Sequence, residues 1–386
     1  MIAILTWVFW SSVAAVALIT CGYPLILALS APLSRRLRPR HDDCERHVSL
    51  IIAAYNEEKT IAQKLDNTLE LDYPRDKLEI YVASDGSTDR TNEIVESYRG
   101  RGVTLVAFPR TGKTGMQNRM ALRAQGEILV FSDANAAYRR DAIRMLVRNF
   151  ADPGIGGVCG QLEYVTAGEG AGSSESTYWT YEKFMKRRES ELSSVIGANG
   201  SIYAIRRCDY VQIDEDLISD LVEPLAVVRN GKRVVYEPEA VSVEEGSTSY
   251  GTEYRRKVRI LTRSIRGLLR MRALLNPMRF GVFAVQLIMH KLMRFLTPVF
   301  LIAGALALAG LAVLGRYQWL LLAGVAAVAV ATWVALRAKS QRPNPFVRLC
   351  HLLYYYVMAN YALVLAWRNV MSGVRMTLWA PERTPH

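Results

Sequence analysis

Three aspartates lie in short polar segments, each just after a stretch that predicts a buried strand or in a loop beyond one. They are Asp85 in segment 84–89, Asp133 in segment 132–135, and Asp220 further along the chain. Open α/β sheets bind their ligands beyond the carboxyl ends of the strands. Mg²⁺ and Mn²⁺ prefer oxygen ligands and often bind through carboxylates together with substrate phosphates. Three acids at such an edge therefore predict a site for a metal-bound substrate that carries phosphate.

The first two aspartates have different predicted roles. Asp85 is followed by Gly86, which lets a ligand approach the backbone, so its carboxylate is a candidate to bind a base or a ribose. Asp133 is the candidate metal ligand, with Asn135 as a weaker carbonyl ligand or a sugar contact. The alternative is ordinary turn chemistry, because both segments also suit tight turns or a helix N-cap.

Asp220 is the candidate proton acceptor. A carboxylate beside an acceptor hydroxyl can take its proton during attack, and Ser219 precedes Asp220 as an acceptor contact. The small residues of segment 197–201 leave room for a ligand, which makes Asn199 and Gly200 further acceptor candidates. A solvated acidic loop and a plain tight turn are the alternatives.

Basic residues complete the set. Lys113 ends segment 110–113, and the glycine spacing of this segment excludes a P-loop. The ammonium of Lys113 can still bind a diphosphate or a sugar. Arg256 and Arg259 occupy adjacent positions of a predicted helix and can neutralise a leaving diphosphate. A solvated lysine and lipid-headgroup contacts are the alternatives.

The elements that must position these residues alternate in type. Branched apolar runs predict strands, and apolar residues at helical spacing predict helices. Strands are predicted at 48–54, 78–83, 103–108 and 128–132, and helices at 56–69, 88–98 (capped by Thr88) and 115–125. This alternation predicts an α/β domain with a mostly parallel sheet.

Composition indicates a membrane. The chain has 386 residues, of which 51% are hydrophobic, and a formal net charge of +12. Arginines cluster beside the apolar segments, which favours a cytoplasmic membrane surface over nucleic acid as the partner. The five cysteines contain no C-x-x-C pair, so we expect a reducing compartment and no disulfide framework or zinc site.

The apolar segments predict how the chain is divided. The units are a transmembrane anchor at 1–31, a cytoplasmic α/β domain at 40–250, amphipathic interfacial helices at 252–295, transmembrane helices at 296–370 and a tail at 371–386. The anchor has arginines after it and none before it, which places the N-terminus outside. Two spans are predicted at 296–314 and 319–336, and a third at 346–367. The tail lies outside if the third segment spans and inside if it is interfacial.

Taken together and in this order, the motifs resemble those of the membrane-bound family-2 glycosyltransferases. That group includes cellulose, hyaluronan and poly-N-acetylglucosamine synthases and ceramide glucosyltransferases, and the resemblance covers residues 46–272. The matching segments are VSLIIAAYNEE (48–58), VASDGSTDRT (82–91), RTGKTGMQNRMALRAQGEILVFSDAN (110–135), GANGSIYAIRR (197–207), SDLVEPL (219–225) and VVYEPEA (234–240).

The resemblance implies a GT-A fold, which makes 40–250 the catalytic domain. Asp85, with the loop residues Ala54, Tyr55 and Glu57, would hold the nucleoside of a nucleotide-sugar. Lys113 would line the donor pocket.

The resemblance also implies the chemistry. Asp133 would ligate Mg²⁺ or Mn²⁺ on the donor diphosphate, and Asp220 would be the general base of an inverting transfer. Arg256 and Arg259 would replace the family's Q/R-x-x-R-W motif.

Three positions depart from the family pattern. Ile260 stands where that motif has Trp, and isoleucine has no aromatic face on which an acceptor sugar can stack. Asn135 replaces an Asp of the metal motif. Ser219 replaces an acid, which leaves the base role to Asp220 alone. The missing Trp argues against processive growth of a long polymer.

We therefore expect an inverting glycosyltransferase of a bacterial-type inner membrane. It would move a sugar from a nucleotide-sugar, by expectation a UDP-sugar, to a lipid or glycan acceptor at the cytoplasmic face. Donor, acceptor and membrane lipids are the expected partners, without nucleic acid. The alternatives are a processive exopolysaccharide synthase that couples polymerisation to export, a non-catalytic membrane protein that binds nucleotide-sugars, and a nucleotidyltransferase. Sugar, linkage and protein partners are left open.

Overall fold

The computed structural model describes residues 1–30, 39–165, 171–245, 250–337 and 344–378. They form an α/β domain on one eight-stranded sheet, with long apolar helices beside it. The predicted α/β fold class is confirmed. The sheet is mixed, and the strands that carry the predicted aspartates form its parallel half.

The first four strands make up this parallel half. They are β1 (Val48–Ala54), β2 (Leu78–Asp85), β3 (Val103–Phe108) and β4 (Ile128–Asp133), in the spatial order β3-β2-β1-β4. All seven residues of β1 are buried, as expected for a strand that is covered on both faces. Parallel pairing of β2 and β4 with β1 brings Asp85 and Asp133 to the same edge of the sheet.

The remaining strands extend the sheet beyond β4. They are β5 (Ala137–Tyr138), β6 (Ile155–Val165), β7 (Tyr203–Arg206) and β8 (Arg233–Glu245), in the order β4-β7-β6-β8-β5. β7 runs antiparallel to β4 and β6, whereas β6 and β8 are parallel. Because β5 pairs with the last part of β8, the end of β8 lies close to the turn that follows Asp133.

Helices cover the sheet and extend away from it. In chain order, the longer helices of the described residues are α1 (Ile2–Leu29), α2 (Ile61–Leu69), α3 (Thr91–Ser97), α4 (Lys113–Arg123), α5 (Ala142–Val147), α6 (Ala171–Leu192), α7 (Ser219–Arg229), α8 (Tyr250–Arg270), α9 (Pro277–Val313), α10 (Gln318–Arg337) and α11 (Pro345–Met371). α8 is the basic helix that the sequence predicts at the interface.

α2 begins later than the sequence predicts, at Ile61 instead of residue 56. Asn56 has a left-handed backbone with φ of 51°. Its N–H donates to the Ser87 hydroxyl (3.1 Å), and the N–H of Glu57 donates to the Thr91 hydroxyl (2.8 Å). Side chains that are distant in sequence therefore hold this segment as a loop.

α3 also begins late, at Thr91 rather than at Thr88. The carboxylate of Asp89 accepts a bond from the Thr91 N–H at 3.0 Å. Thr88 instead donates its N–H to the side-chain oxygen of Asn56 at 2.8 Å. The predicted cap is thus displaced because Thr88 is bonded to the preceding loop.

Among the residues that the structure describes, four helices are long and apolar enough to cross a membrane, namely α1, α9, α10 and α11. Segment 280–295, predicted as a separate interfacial helix, is continuous with the next span in α9, which has 37 residues. α9 contains a non-helical residue at Gly281 and a π-turn at Ile288–Leu292. Because no proline or polar turn divides residues 282–297, the helix continues through both segments.

One core of the α/β domain is continuous with these apolar helices. On one face of the sheet, Phe131 of β4 belongs to the same buried cluster as Leu221 of α7, Ile265 of α8 and Phe283 of α9. The other face packs a separate cluster against α2 and α5. The sheet edge with the aspartates is therefore held directly against the helices that can span a membrane.

Candidate active site

Asp133, Lys113 and Asp220 come together at the carboxyl edge of the parallel strands. Lys113 begins α4, forms a short ion pair with Asp133, and donates to the carbonyl of Gly200 at 3.3 Å. Gly200 lies against Asp220, since a Cβ at its position would be 3.0 Å from Asp220 Oδ2. A glycine allows this close approach. Residues far apart in sequence thus form one cluster of two carboxylates beside an ammonium.

Asp85 lies next to this cluster, at the end of β2, and its side chain is fully buried. Its oxygens accept bonds from the Arg110 guanidinium (2.7 Å) and from the backbone N–H groups of Thr111 (2.7 Å) and Gly112 (3.0 Å). The following residue is Lys113. Asp85 therefore orders the loop that delivers Lys113 to Asp133.

The predicted nucleoside loop lies at the same edge. Ala54 ends β1 and is fully buried, and Glu57 is buried and accepts a bond from the Thr60 hydroxyl at 2.8 Å. The guanidinium of Arg110 lies 3.1 Å from the ring centroid of Tyr55. An aromatic face, a planar cation and a carboxylate are therefore in place where the sequence predicts a nucleoside, and such groups suit stacking and hydrogen bonding.

Asp220 is the second residue of α7, where the helix N-terminus favours an anion. Burial raises the pKa of its carboxyl group, although the charges of Lys113 and Lys186 oppose this rise. A raised pKa makes a carboxylate a stronger proton acceptor near neutral pH. These surroundings suit a general base.

The acceptor candidates differ in exposure. Asn199 is buried, and its side-chain oxygen accepts a bond from Lys186 at 2.5 Å. Ser219 is buried as well. Gly200 is the candidate that borders the base directly. Asn199 therefore supports the turn that contains Gly200, and it does not face solvent.

Glu244 is a further acid that the sequence patterns do not single out. It lies at the end of β8 and is buried, and burial together with the charge of Asp133 raises its pKa. Two neighbouring carboxylates favour a bound cation, because a cation relieves their repulsion. Within the described ranges, no three His, Cys, Asp or Glu side chains converge into a metal cage. Asp133, with the exposed Asn135 two residues on, fits a Mg²⁺ or Mn²⁺ ion that is shared with substrate phosphates.

Lys64 is a second residue that the sequence does not point out. It lies on α2 with 3% of its surface exposed, and its Nζ donates to the carbonyl of Ala136 at 2.6 Å and lies 3.9 Å from the ring centroid of Tyr138. Burial lowers its pKa to about 7. Lys64 thereby fixes the turn after Asp133. A lysine in a short amphipathic helix is ordinarily exposed, so its role is visible only in the fold.

The arginines of α8 include an unpredicted contact. Arg263 is buried and donates to the hydroxyl of Thr114 at 2.8 Å, which ties α8 to the start of α4. The predicted pair, Arg256 and Arg259, is half-buried on the same helix. The charge of Arg256 lowers the pKa of Glu244. Arg256 therefore acts electrostatically on the acid cluster.

The chain is similar in sequence to known proteins. Residues 49–213 match Glycosyl transferase family 2. The chain is similar to the β-monoglucosyldiacylglycerol synthase of Synechocystis sp., with 30% identity over 176 residues, which cover 42% of this chain and 36% of that protein. It is also similar to the poly-β-1,6-N-acetyl-D-glucosamine synthase of Staphylococcus aureus, with 26% identity over 202 residues, which cover 50% of this chain and 48% of that protein. The aligned part is thus less than half the length of either relative.

A solved structure extends the likeness to nearly the whole chain. The mannosyltransferase PcManGT from Pyrobaculum calidifontis, in complex with GDP-Man and Mn²⁺, superposes with a TM-score of 0.70 at 23% identity and covers 94% of this chain and 99% of its own. The GT-A fold predicted from the sequence is confirmed by this likeness. It covers the apolar helices as well as the α/β domain.

Proposed function

This chain carries a family-2 glycosyltransferase domain, and from that premise we propose that it moves a sugar from a nucleotide-sugar to a hydroxyl of a membrane-associated lipid or glycan, with inversion at the anomeric carbon. The observation that carries the proposal is the cluster of Asp133, Lys113 and Asp220 at one sheet edge, beside the buried Asp85. A base and a cation-binding acid within one cluster suit displacement of a diphosphate by a hydroxyl.

The donor nucleoside would lie against the Tyr55 ring and the ion pair between Asp85 and Arg110. Arg110 spans both groups, since it stacks on the Tyr55 ring and pairs with Asp85. A nucleobase offers the same flat face as a guanidinium, so it can share or take over this position. Lys113 would meet the diphosphate, in addition to its bond with Asp133.

A divalent cation would be held by Asp133, with Asn135 and Glu244 as neighbouring oxygen donors. When bound, such a cation supplies positive charge to the diphosphate that leaves. Lys113 and Arg256 would add to that charge from two different helices. The Mn²⁺ in the Pyrobaculum mannosyltransferase complex is consistent with this use of the edge.

Asp220 would take the proton of the acceptor hydroxyl. The hydroxyl oxygen attacks the anomeric carbon as the bond to the diphosphate breaks, so one displacement inverts the configuration. Gly200 leaves the space beside Asp220 Oδ2 that an acceptor needs, because no Cβ projects there. Arg256 and Arg259 would offset charge on the leaving group from α8.

The acceptor would reach this site from the membrane. Four helices can span a bilayer, and one core of the α/β domain is continuous with them. The names of the two relatives describe a glucosyldiacylglycerol and a polysaccharide, so a lipid and a glycan are the two acceptor classes to test. The arginines beside the apolar segments favour the cytoplasmic face of an inner membrane.

The metal assignment is tested by Asp133→Ala, with Asp72→Ala as the control because Asp72 is an exposed aspartate of the same domain. We expect Asp133→Ala to lower transfer about 100-fold or more and to remove the metal dependence of donor binding, since a metal contributes several kcal/mol to charge stabilisation. Release of UDP or GDP from a panel of donor sugars, with and without EDTA, measures the first effect. Calorimetry of donor binding measures the second. Full wild-type activity in EDTA would contradict the assignment.

A further inference from the structure

Lys186 is a buried lysine that the proposed reaction does not use. It lies on α6 with 6% of its surface exposed, donates to Asn199 Oδ1 at 2.5 Å, and lies 3.7 Å from the sulfur of Cys159. Within the described part of the chain it forms no ion pair with a carboxylate. Burial of an ammonium without a paired charge is costly, so we expect a negative charge nearby with which Lys186 interacts.

The partner of Lys186 belongs to the turn that contacts the proposed base. Asn199 donates its amide to the carbonyl of Gly160 at 2.6 Å, so both ends of its side chain are fixed. On either side of Asn199, the N–H of Ala198 donates to the carbonyl of Asp220 at 2.6 Å, and Gly200 approaches Asp220 Oδ2. The turn therefore bonds to the main chain of Asp220 and lies against its carboxylate, and Lys186 bonds to the turn.

The same face of α6 is fastened to the apolar helices. Glu189, three residues after Lys186 and fully buried, accepts bonds from Tyr23 Oη of α1 and His290 Nδ1 of α9, both at 2.8 Å. Glu182, four residues before Lys186, pairs with Arg294 of α9 at 2.5 Å. Residues at this spacing share one helix face. The contacts that locate Lys186 thus come from two different membrane-type helices.

We propose that Lys186 is a positioning residue for Asp220: anchored through α6 to the apolar helices, it fixes the 198–200 turn against which the Asp220 carboxylate lies. This inference rests on the proposed role of Asp220 as the base.

The charges around Asp220 determine what removal of Lys186 does. Besides Lys186 on α6, the groups that act on Asp220 are Lys113 on α4, Asp133 on β4, Cys159 on β6 and Arg263 on α8, with Glu223 on its own helix. Burial raises the pKa of Asp220, and the charges of Lys113 and Lys186 lower it more than any other group does. Loss of the Lys186 charge therefore raises this pKa further. The reaction needs ionised Asp220, so the acid limb of its pH profile moves to higher pH.

The experiment compares Lys186→Met with Lys186→Arg, and with Arg187→Met as a control, because Arg187 is an exposed neighbour on the same helix. Full-length proteins in vesicles of phosphatidylglycerol and diacylglycerol are assayed from pH 5 to 9 with UDP-glucose, UDP-N-acetylglucosamine and GDP-mannose, and the donor with the highest turnover is used. We expect Lys186→Met to move the acid limb of kcat/KM upward by about one pH unit, the effect of one nearby charge. The KM for the donor stays unchanged. Lys186→Arg and Arg187→Met keep the wild-type limb.

Asn199→Asp provides a second route if Lys186→Met does not fold. A carboxylate at this position keeps the bond from Lys186 but gives up the amide bond to Gly160. Its negative charge opposes that of Lys186 at Asp220, so the limb moves in the same direction. An unmoved limb in folded Lys186→Met or Asn199→Asp, with Asp220→Asn inactive, would overturn the inference. A limb that moves as far in Lys186→Arg as in Lys186→Met would also overturn it. Activity in Asp220→Asn would instead overturn the base assignment on which it rests.

Discussion

At the scale of single residues, Glu223 is the buried acid closest in sequence to the proposed base. It lies on α7, one helical turn after Asp220, with 1% of its surface exposed. Its carboxylate accepts bonds from the hydroxyls of Tyr203 (2.8 Å) and Tyr210 (3.2 Å). Burial raises its pKa to about 8. Glu223 is therefore mostly protonated at neutral pH.

This protonation makes the stability of the protein depend on pH. The unfolded chain releases the Glu223 proton near pH 4.5, whereas the folded protein keeps it until about pH 8. The stabilisation is complete below pH 4.5 and is lost as the pH rises to about 8. We expect Glu223→Gln to gain Tm relative to the wild type between pH 5 and pH 8, measured by thermal unfolding in detergent. Glu96→Gln, at an exposed position of α3, is the control. A Tm difference that is constant over this range would refute the pKa assignment.

The residues that carry chemistry by type could be predicted, whereas those that act through burial could not. Asp133 and Lys113 follow strand or loop signals, and the structure brings them into contact. Lys64, Lys186 and Glu244 stand in ordinary helix or strand positions of the sequence. Their roles depend on which neighbours exclude water from them, and this is decided by the packing of elements that are distant in the chain.

At the scale of elements, α7 and α8 determine where Asp220 lies relative to the apolar helices. Gly267 of α8 faces Val222 of α7, and a Cβ at Gly267 would be 2.5 Å from a Val222 methyl group. The two helices thus cross at a distance that requires a residue without a side chain. Asp220 lies two residues before Val222, so this crossing determines the position of Asp220 relative to α8.

We expect Gly267→Ala to lower the stability of the folded protein. Gly324 of α10 is the matched control, because it is also helical but has no neighbour within 4 Å of its Cβ position. An alanine in an open helix is favourable by up to about 1 kcal/mol, whereas overpacking costs about 1–3 kcal/mol. The helix-propensity gain is common to both variants, so Gly267→Ala should be about 1–3 kcal/mol less stable than Gly324→Ala in denaturant unfolding. Equal stabilities would show that the helices can separate freely at this point.

An element could be predicted when the residues that specify it lie within the element itself. The four parallel strands, β1 to β4, were predicted to within two residues, because continuous apolar runs with branched side chains specify buried strands. The start of α2 was not predicted, because side chains near residue 90 hold the 55–60 segment as a loop. The length of α9 was not predicted either, because basic residues in an apolar helix suggest an interface where the chain in fact continues as one helix.

At the scale of the whole molecule, the chain combines a domain that matches Glycosyl transferase family 2 with helices that are apolar enough to span a bilayer. Its cysteines allow a test of orientation, since Cys44 and Cys208 are exposed on the α/β side of α1. We expect a membrane-impermeant maleimide to label single-cysteine variants at these two positions only after the cells are permeabilised. Ile2→Cys in a cysteine-free chain should be labelled in intact cells, because the N-terminus is expected outside. The opposite pattern would reverse the proposed topology.

The measurement that tests the central claim most directly is transfer of labelled sugar by the purified full-length protein, compared with its Asp220→Asn variant. UDP- and GDP-sugars are offered in vesicles with lipid acceptors, and both released nucleoside diphosphate and the size of the labelled product are recorded. We predict one nucleoside diphosphate released for each sugar transferred, a product that carries a single added sugar, and a loss of about 100-fold or more in Asp220→Asn, the range expected for a general base. Undiminished transfer in Asp220→Asn would contradict the account.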